Sequence, residues 1–213
     1  MAAKLLLASR NQHKIEELEQ MLAHLNIEVI SLDDVADMPA IEEDGNTFSE
    51  NASKKARLTA MHTGFTCLAD DSGLVVDALG GHPGVYSARF AGEEADDRKN
   101  NRKLLQMLQG VDGEKRQARF ICVIAISDPQ GNICTVEGKC EGRIHYEERG
   151  KGGFGYDPLF IPEGYSQTFA ELSREEKNRI SHRGQALLKA RNFLEKGVTG
   201  DGGGTVEDCG SRG

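Results

Sequence analysis

The sequence predicts an α/β fold: a mixed central sheet flanked by helices. Three observations carry that reading. Short apolar, β-prone runs alternate with amphipathic stretches from residue 4 onward. Residues 119–127 form the most strand-like run in the chain. Asp128-Pro129-Gln130-Gly131 then turns that run into a second strand at 132–136, and strands joined by so short a turn lie antiparallel.

Residues 4–8 read as a buried first strand. Ser9, Arg10, Asn11, Gln12, His13 and Lys14 lead into an amphipathic helix with Ile15, Leu18, Met21, Leu22 and Leu25 on one face. A polar turn between a strand and a helix N-terminus offers free amides and the helix dipole to an anion, and Arg10 and Lys14 add formal charge. Asn11 would serve equally as a plain N-cap. Residues 28–31 look like a second strand, followed by an acidic loop through Gly45. Thr47-Phe48-Ser49-Glu50 is a capping box, opening a helix that runs to about Met61 and is closed by Gly64. Lys54, four residues beyond Glu50, is spaced to pair with it, which leaves Lys55 facing elsewhere.

The chain is organised around Ala69-Asp70-Asp71-Ser72-Gly73-Leu74. Apolar runs stand on both sides, so the Asp pair is expected where a strand ends and the chain turns. Successive side chains diverge there, letting one carboxylate face open space while its neighbour braces the turn. Two negative charges this close repel, and a bound cation relieves the repulsion. Magnesium, a hard ion content with a few carboxylates plus water and phosphate oxygens, suits them best. An Asx-type turn, with both Asp capping backbone amides, is the other reading.

Residues 80–89 form a turn-rich loop, and 97–109 a helix with Leu104, Leu105 and Leu108 inward. The segment 150–158 contains G-x-G-x-x-G at Gly150, Gly152 and Gly155, but Pro158 and the apolar run after it indicate a turn and strand. A dinucleotide fold would need a helix there, so that match is rejected. A Gly loop carrying Phe154, Tyr156 and Asp157 reads instead as a base-binding lip: an aromatic ring stacks on a planar base and a carboxylate accepts a ring N–H. Ser173 to Glu176 is a second capping box, starting a short helix that carries Lys177. Ser181-His182-Arg183-Gly184 begins the last helix. Cations in its first turn oppose the dipole, which suits an anionic or carbonyl ligand. Residues 1–196 are expected to form one domain, and the Gly-rich tail 197–213, without apolar anchors, to be disordered.

The net charge of −8 argues against a general nucleic-acid binder. Acidic and basic residues are segregated: 28–50 holds eight acids and no Lys or Arg, whereas 174–191 is basic. A cation beside a polyphosphate needs that division, although two solvated faces of opposite sign would produce it too. Five cysteines without a C-x-x-C pair point to a reducing cytoplasm and no structural zinc. The apolar run at 5–8 is too short for a signal-peptide core or a membrane span.

Seven blocks recur in a known order. They are Ser9-Arg10-Asn11 to Lys14, Thr47-Phe48 to Glu50-Asn51-Ala52, the Asp70-Asp71 block, residues 83–89, residues 152–158, Glu175-Glu176-Lys177 and Ile180-Ser181-His182-Arg183-Gly184. Together, over about residues 4–195, they resemble the inosine/xanthosine triphosphate pyrophosphatases. The resemblance implies a homodimeric α/β protein with a long mixed sheet and an active-site cleft between two lobes. It implies magnesium-dependent hydrolysis of ITP, dITP and XTP to the monophosphate and pyrophosphate; charge and the short apolar run, as above, give no expectation of stable nucleic-acid or membrane binding. It places the metal on Glu42 and Asp71, with Asp71 also the general base. Ser9 to Lys14 and Ser72 resemble the phosphate and sugar contacts, and Phe154, Gly155, Tyr156, Asp157, Lys177, His182 and Arg183 the nucleotide and base contacts. Arg10 and His13 depart from the family pattern, which often carries Gly at those positions. Glu42 is preferred over Glu43 and Asp44 on its spacing to Gly45.

The residue chemistry is compatible with that activity. Phosphoanhydride cleavage needs charge neutralisation, an oriented water and a stabilised leaving group. Asp71 or Asp70 can orient the water and take its proton, while Lys14, Lys55 and Lys177 spread positive charge over a triphosphate. A 6-keto purine presents an acceptor where adenine presents a donor, so a donor such as His182 or Arg183 favours the keto base. Two competing readings use the same residues: a pyrophosphatase for other modified nucleotides, and a nucleotide sensor without turnover.

Overall fold

The computed structural model describes residues 2–94 and 96–199; the side chains of His13, Glu17 and 196–199 are outside that description. Six strands form one sheet in the order β2-β1-β3-β4-β5-β6. They are β1 (Ala3–Leu7), β2 (Ile27–Ser31), β3 (Thr66–Val76), β4 (Gln117–Ser127), β5 (Ile133–Ile144) and β6 (Phe160–Pro162). β1 pairs parallel with both β2 and β3, and β5 pairs antiparallel with β6, so the sheet is mixed. The helices are α1 (Gln12–Leu22), α2 (Phe48–Thr63), α3 (Asp97–Met107), α4 (Arg174–Ile180) and α5 (His182–Thr199). None of the described helices is long and apolar enough to cross a membrane. α5 extends to Thr199, so the first three residues of the expected tail are helical; the rest of it lies outside the described residues.

The chain divides into two compact units. The first holds the chain up to Asp71, Val123–Glu137 and the segment from Ala186; the second holds Ser72–Cys122 and Gly138–Gln185. In the first, Leu6, Ala60 and Cys67 are fully buried together, with Ile30 and Phe65 packed against them. In the second, Leu104, Leu108, Phe120, Phe160 and Phe169 form an aromatic-rich core.

Local chemistry sets several boundaries. Thr47 Oγ1 accepts from Glu50 N at 3.1 Å while Glu50 returns a bond to the Thr47 N–H, a complete capping box at the start of α2. Gly64 closes that helix in the left-handed region at φ 74°. The turn at 128–131 reverses the chain through Gly131 N to Asp128 O at 3.0 Å. Three expectations are corrected. Asp70 and Asp71 lie inside the continuous strand β3, not at a strand end. β5 continues eight residues beyond the expected end at 136, because Gly138 and Cys140 point inward while charged residues alternate outward. Lys54 pairs with Asp44 at 2.5 Å instead of Glu50, whose carboxylate is occupied by the cap.

Candidate active site

Within the first unit, β3 presents Asp70 and Asp71 to two helices. Strand alternation sends neighbouring side chains to opposite faces, and each Asp meets a different partner. Lys14 of α1 reaches Asp70 Oδ1 and Oδ2 at 2.8 and 2.9 Å. Asn51 of α2 donates from Nδ2 to Asp71 Oδ2 at 3.0 Å, and its Oδ1 accepts from Gly45 N at 2.8 Å. Lys55, one turn beyond Asn51, donates to the Asp70 carbonyl at 2.6 Å and to Glu43 Oε1 at 2.7 Å. Asp70 and Asp71 are both buried, so carboxylates this close depend on such partners.

The acidic loop arrives here through Glu43. Glu42 is exposed, whereas Glu43 is half-buried and held by Lys55. No cluster of three or more acidic, Cys or His side chains able to hold a metal occurs among the described residues. A donor set of one or two carboxylates is the kind magnesium takes, since it keeps waters and uses substrate phosphates as further ligands. Asp71 and Glu43, each tied to α2 through Asn51 and Lys55, are carboxylates of this unit that could contribute to such a set.

The turn after β1 carries the other expected phosphate contacts. Ser9 Oγ accepts from Asn11 N at 3.1 Å and Lys14 N donates to Asn11 O at 3.0 Å, so the turn closes on itself before α1. Asn11 and Gln12 are exposed. Arg10 is also exposed and its Nε donates to Asp33 at 3.1 Å. The His13 side chain lies outside the described residues.

Within the second unit, Ser72 is half-buried in β3. The Gly loop is built around Asp157, which is 3% exposed. Its Oδ2 accepts from Phe154 N at 2.8 Å and from Lys177 Nζ at 2.5 Å. A Cβ on Gly153 would sit 2.0 Å from that oxygen, and Gly153 has φ +72°, so no other residue lets the loop wrap its carboxylate this closely. Burial is the largest influence on Asp157 and pushes its pKa up; the Lys177 ammonium and the Phe154 N–H oppose it. Asp157 thus braces its own loop. Tyr156 is buried, with its hydroxyl donating to Ser87 O at 2.8 Å. Phe154 alone among the loop's aromatics is presented to solvent, 69% exposed, with Lys177 Nζ 4.7 Å from its ring centre.

α4 and α5 meet at Ser181, whose Oγ accepts from Gly184 N at 3.1 Å. The His182 ring stacks on Phe120, centroids 4.7 Å apart and planes within 10°. Arg183 is half-buried in the same turn. Gly184 is required by close approach: a Cβ there would lie 1.9 Å from Asn178 O.

Four residues outside the expected set complete these arrangements: Asn51, Glu43, Asp97 and Asn101. Asp97 Oδ2 accepts from Gly155 N at 2.7 Å and Asn101 Nδ2 donates to Gly155 O at 3.1 Å. Asn51 had a signal, standing four residues before Lys55 on one helical face. Asp97 and Asn101 had none, because their partner is 54 or more residues away. Two cavities of about 970 and 740 Å³ in the second unit, both lined by Tyr146, contain none of the expected site residues.

Comparison with known proteins bears out the family resemblance. The chain is 56% identical over 193 residues to a protein of Desulforamulus reducens named dITP/XTP pyrophosphatase, covering 91% of this chain and 96% of that one. It is 51% identical over 191 residues to a Geobacter sulfurreducens protein of the same name, covering 90% and 96%. Among solved structures it resembles a HAM1 protein from Coxiella burnetii, with TM-score 0.87 and 44% identity over 91% of this chain and 99% of that one. It also resembles the Staphylococcus aureus Ham1 protein, with TM-score 0.85 and 40% identity over the same shares. The Ham1 family profile matches residues 5–193, nearly the whole span over which strands and helices are described, and the chain belongs to the Ham1 family.

Proposed function

We propose that residues 1–196 act as one catalytic domain that hydrolyses ITP, dITP and XTP to the nucleoside monophosphate and pyrophosphate. The observation that carries this reading is the arrangement on β3: two buried carboxylates, each held by a side chain from a different helix, beside a lysine that also grips the acidic loop. The names of the relatives support the same substrate class.

Lys14 and Lys55 offer positive charge to the triphosphate, with the Ser9 to Lys14 turn supplying amides and Ser72 a hydroxyl. Asp71, fixed by Asn51, is the group we assign to orient the attacking water and accept its proton, with Asp70 held by Lys14 as its electrostatic neighbour. Water is consumed and the anhydride between the α and β phosphates is broken. Magnesium, held by Asp71 and either Glu42 or Glu43, would neutralise phosphate charge. Glu43 has the support of its bond to Lys55; Glu42 has that of the family spacing.

Phe154 is the ring we assign to stack on the purine, with Lys177 beside it. Gly155, Tyr156 and Asp157 shape the loop that carries the ring. His182 and Arg183 are the donors we assign to the 6-keto oxygen, which adenine's amino group would face donor to donor. A cytoplasmic homodimer belongs to the same proposal and rests on the family resemblance.

The test is pyrophosphate release from ITP, dITP, XTP, dGTP and dATP, with magnesium and with the metal chelated. Release from the three deaminated nucleotides alone, lost on chelation and nearly abolished in a folded Asp71→Asn variant, supports the reading. Parent-rate turnover by Asp71→Asn would remove the general-base assignment. Tight ITP binding without release would make the protein a sensor.

A further inference from the structure

The Phe154 loop is held partly from within and partly from a neighbouring helix. Phe154 stands between Gly153 at φ +72° and Gly155 at φ +59°, and glycines on both sides give the ring's attachment more backbone freedom than any other pair would. Asp157 fixes the amide before the ring by accepting from Phe154 N. The Asp157 N–H also returns a bond to the Phe154 carbonyl at 3.2 Å, but the N–H and carbonyl of Gly155 take their partners from outside the loop.

Gly155 is held from α3. Asp97 Oδ2 takes the Gly155 N–H at 2.7 Å, and Asn101 Nδ2 donates to the Gly155 carbonyl at 3.1 Å. Residues four apart share a helix face, so one face grips both polar groups of a single glycine. The residue just before Asn101, Asn100, holds the neighbouring loop from the same helix, donating to Ala88 O at 2.9 Å and accepting from Ala91 N at 2.7 Å.

Asn101 is a poor choice for packing alone. It is 3% exposed, and its Oδ1 has no hydrogen-bond partner among the described residues. Burying an amide oxygen without a partner is costly, and leucine would fill similar space without that cost. The donor on Gly155 is what the asparagine adds.

We propose that Asp97 and Asn101 are positioning residues for nucleobase binding, clamping the Gly155 peptide so that the Phe154 ring is held ready to stack on the purine. The proposal rests on the assignment of Phe154 to the base, and the experiment separates the two.

Steady-state pyrophosphate release from ITP is measured for the parent, Phe154→Ala, Asp97→Ala, Asp97→Asn and Asn101→Leu, alongside thermal melting of each. Asp97→Ala and Asn101→Leu are expected to raise KM roughly three- to tenfold, the scale of a loosened aromatic stack. Their kcat should stay within about twofold, because the change is in base binding and not in the hydrolytic step. Asp97→Asn, which keeps an acceptor oxygen for the Gly155 N–H, should return KM to near the parent value, and Asn101→Leu should melt no lower than the parent. Unchanged KM in Phe154→Ala would sink the base assignment itself. A raised KM in Phe154→Ala with unchanged KM in Asp97→Ala and Asn101→Leu would overturn the clamp alone. So would failure of Asp97→Asn to rescue, or a kcat loss that tracks lost melting temperature.

Discussion

Asn51 joins Asp71 to the acidic loop: its amide donates to Asp71 Oδ2 at 3.0 Å and accepts from Gly45 N at 2.8 Å. The side chain is 1% exposed, so both bonds are made in a dry setting where they are strongest. Residues that orient a metal-binding carboxylate typically matter about 10- to 100-fold in affinity or activity. Asn51→Leu should lower magnesium affinity or turnover by that order while the fold persists. Calorimetric titration with magnesium, a magnesium dependence of pyrophosphate release and circular dichroism together check it.

Lys14 and Asp70 are the second coupled pair, with side chains 26% and 4% exposed. Removing the lysine takes away an ammonium bound to both oxygens of a buried carboxylate, which by comparison with other buried pairs costs about 3–5 kcal/mol. Lys14→Met should therefore lose stability on that scale in urea unfolding. Lys14→Met combined with Asp70→Asn should recover much of the loss, because the buried charge that the lysine compensated is gone. Equal stability of the single and double variants would contradict the pairing.

Asp157 makes a prediction about pH. Burial raises its pKa above the ordinary 3.8, so in the window between 3.8 and the raised value the folded state holds the proton that the unfolded state has released. Stability contributed through this group must then fall as pH rises through that window, the reverse of a salt-bridged carboxylate with a lowered pKa. The difference in unfolding free energy between the parent and Asp157→Asn, followed from pH 3.5 upward, should shift steadily in the variant's favour across it. A difference that moved the other way would mean that the Lys177 ammonium outweighs burial.

Gly184 sits in the first turn of α5, where alanine would ordinarily add up to about 1 kcal/mol of helix stability. Here its Cβ would lie 1.9 Å from the backbone oxygen of Asn178, and backbone cannot rotate away as a side chain can. Overpacking of this kind costs about 1–3 kcal/mol, so the clash outweighs the propensity. Gly184→Ala should melt lower than the parent and, by displacing His182 and Arg183, raise KM for ITP. A higher melting temperature would refute the close approach.

Much of this architecture could be read locally. The caps of α2 at Thr47 and Gly64 and the hairpin at 128–131 are each decided within a few residues, and the structure keeps them. The Asp pair misled for a physical reason: Ser72 and Gly73 look like the punctuation of a turn. Their strand continues because Lys14 and Asn51 supply partners that make two buried carboxylates tolerable inside a sheet. β5 was underestimated because its inward positions include Gly138, which carries no hydrophobic signal.

By itself the sequence determined the α/β class, the order of the seven blocks and the side chains able to neutralise a polyphosphate, since composition, periodicity and motif order are properties of the chain. Tertiary structure decided which partner each of those side chains takes: Lys55 with Glu43, Asn51 with Asp71, and Asp97 and Asn101 with Gly155. Hydrogen bonds act over about 3 Å, and residues far apart in sequence come within that reach only once strands and helices have packed.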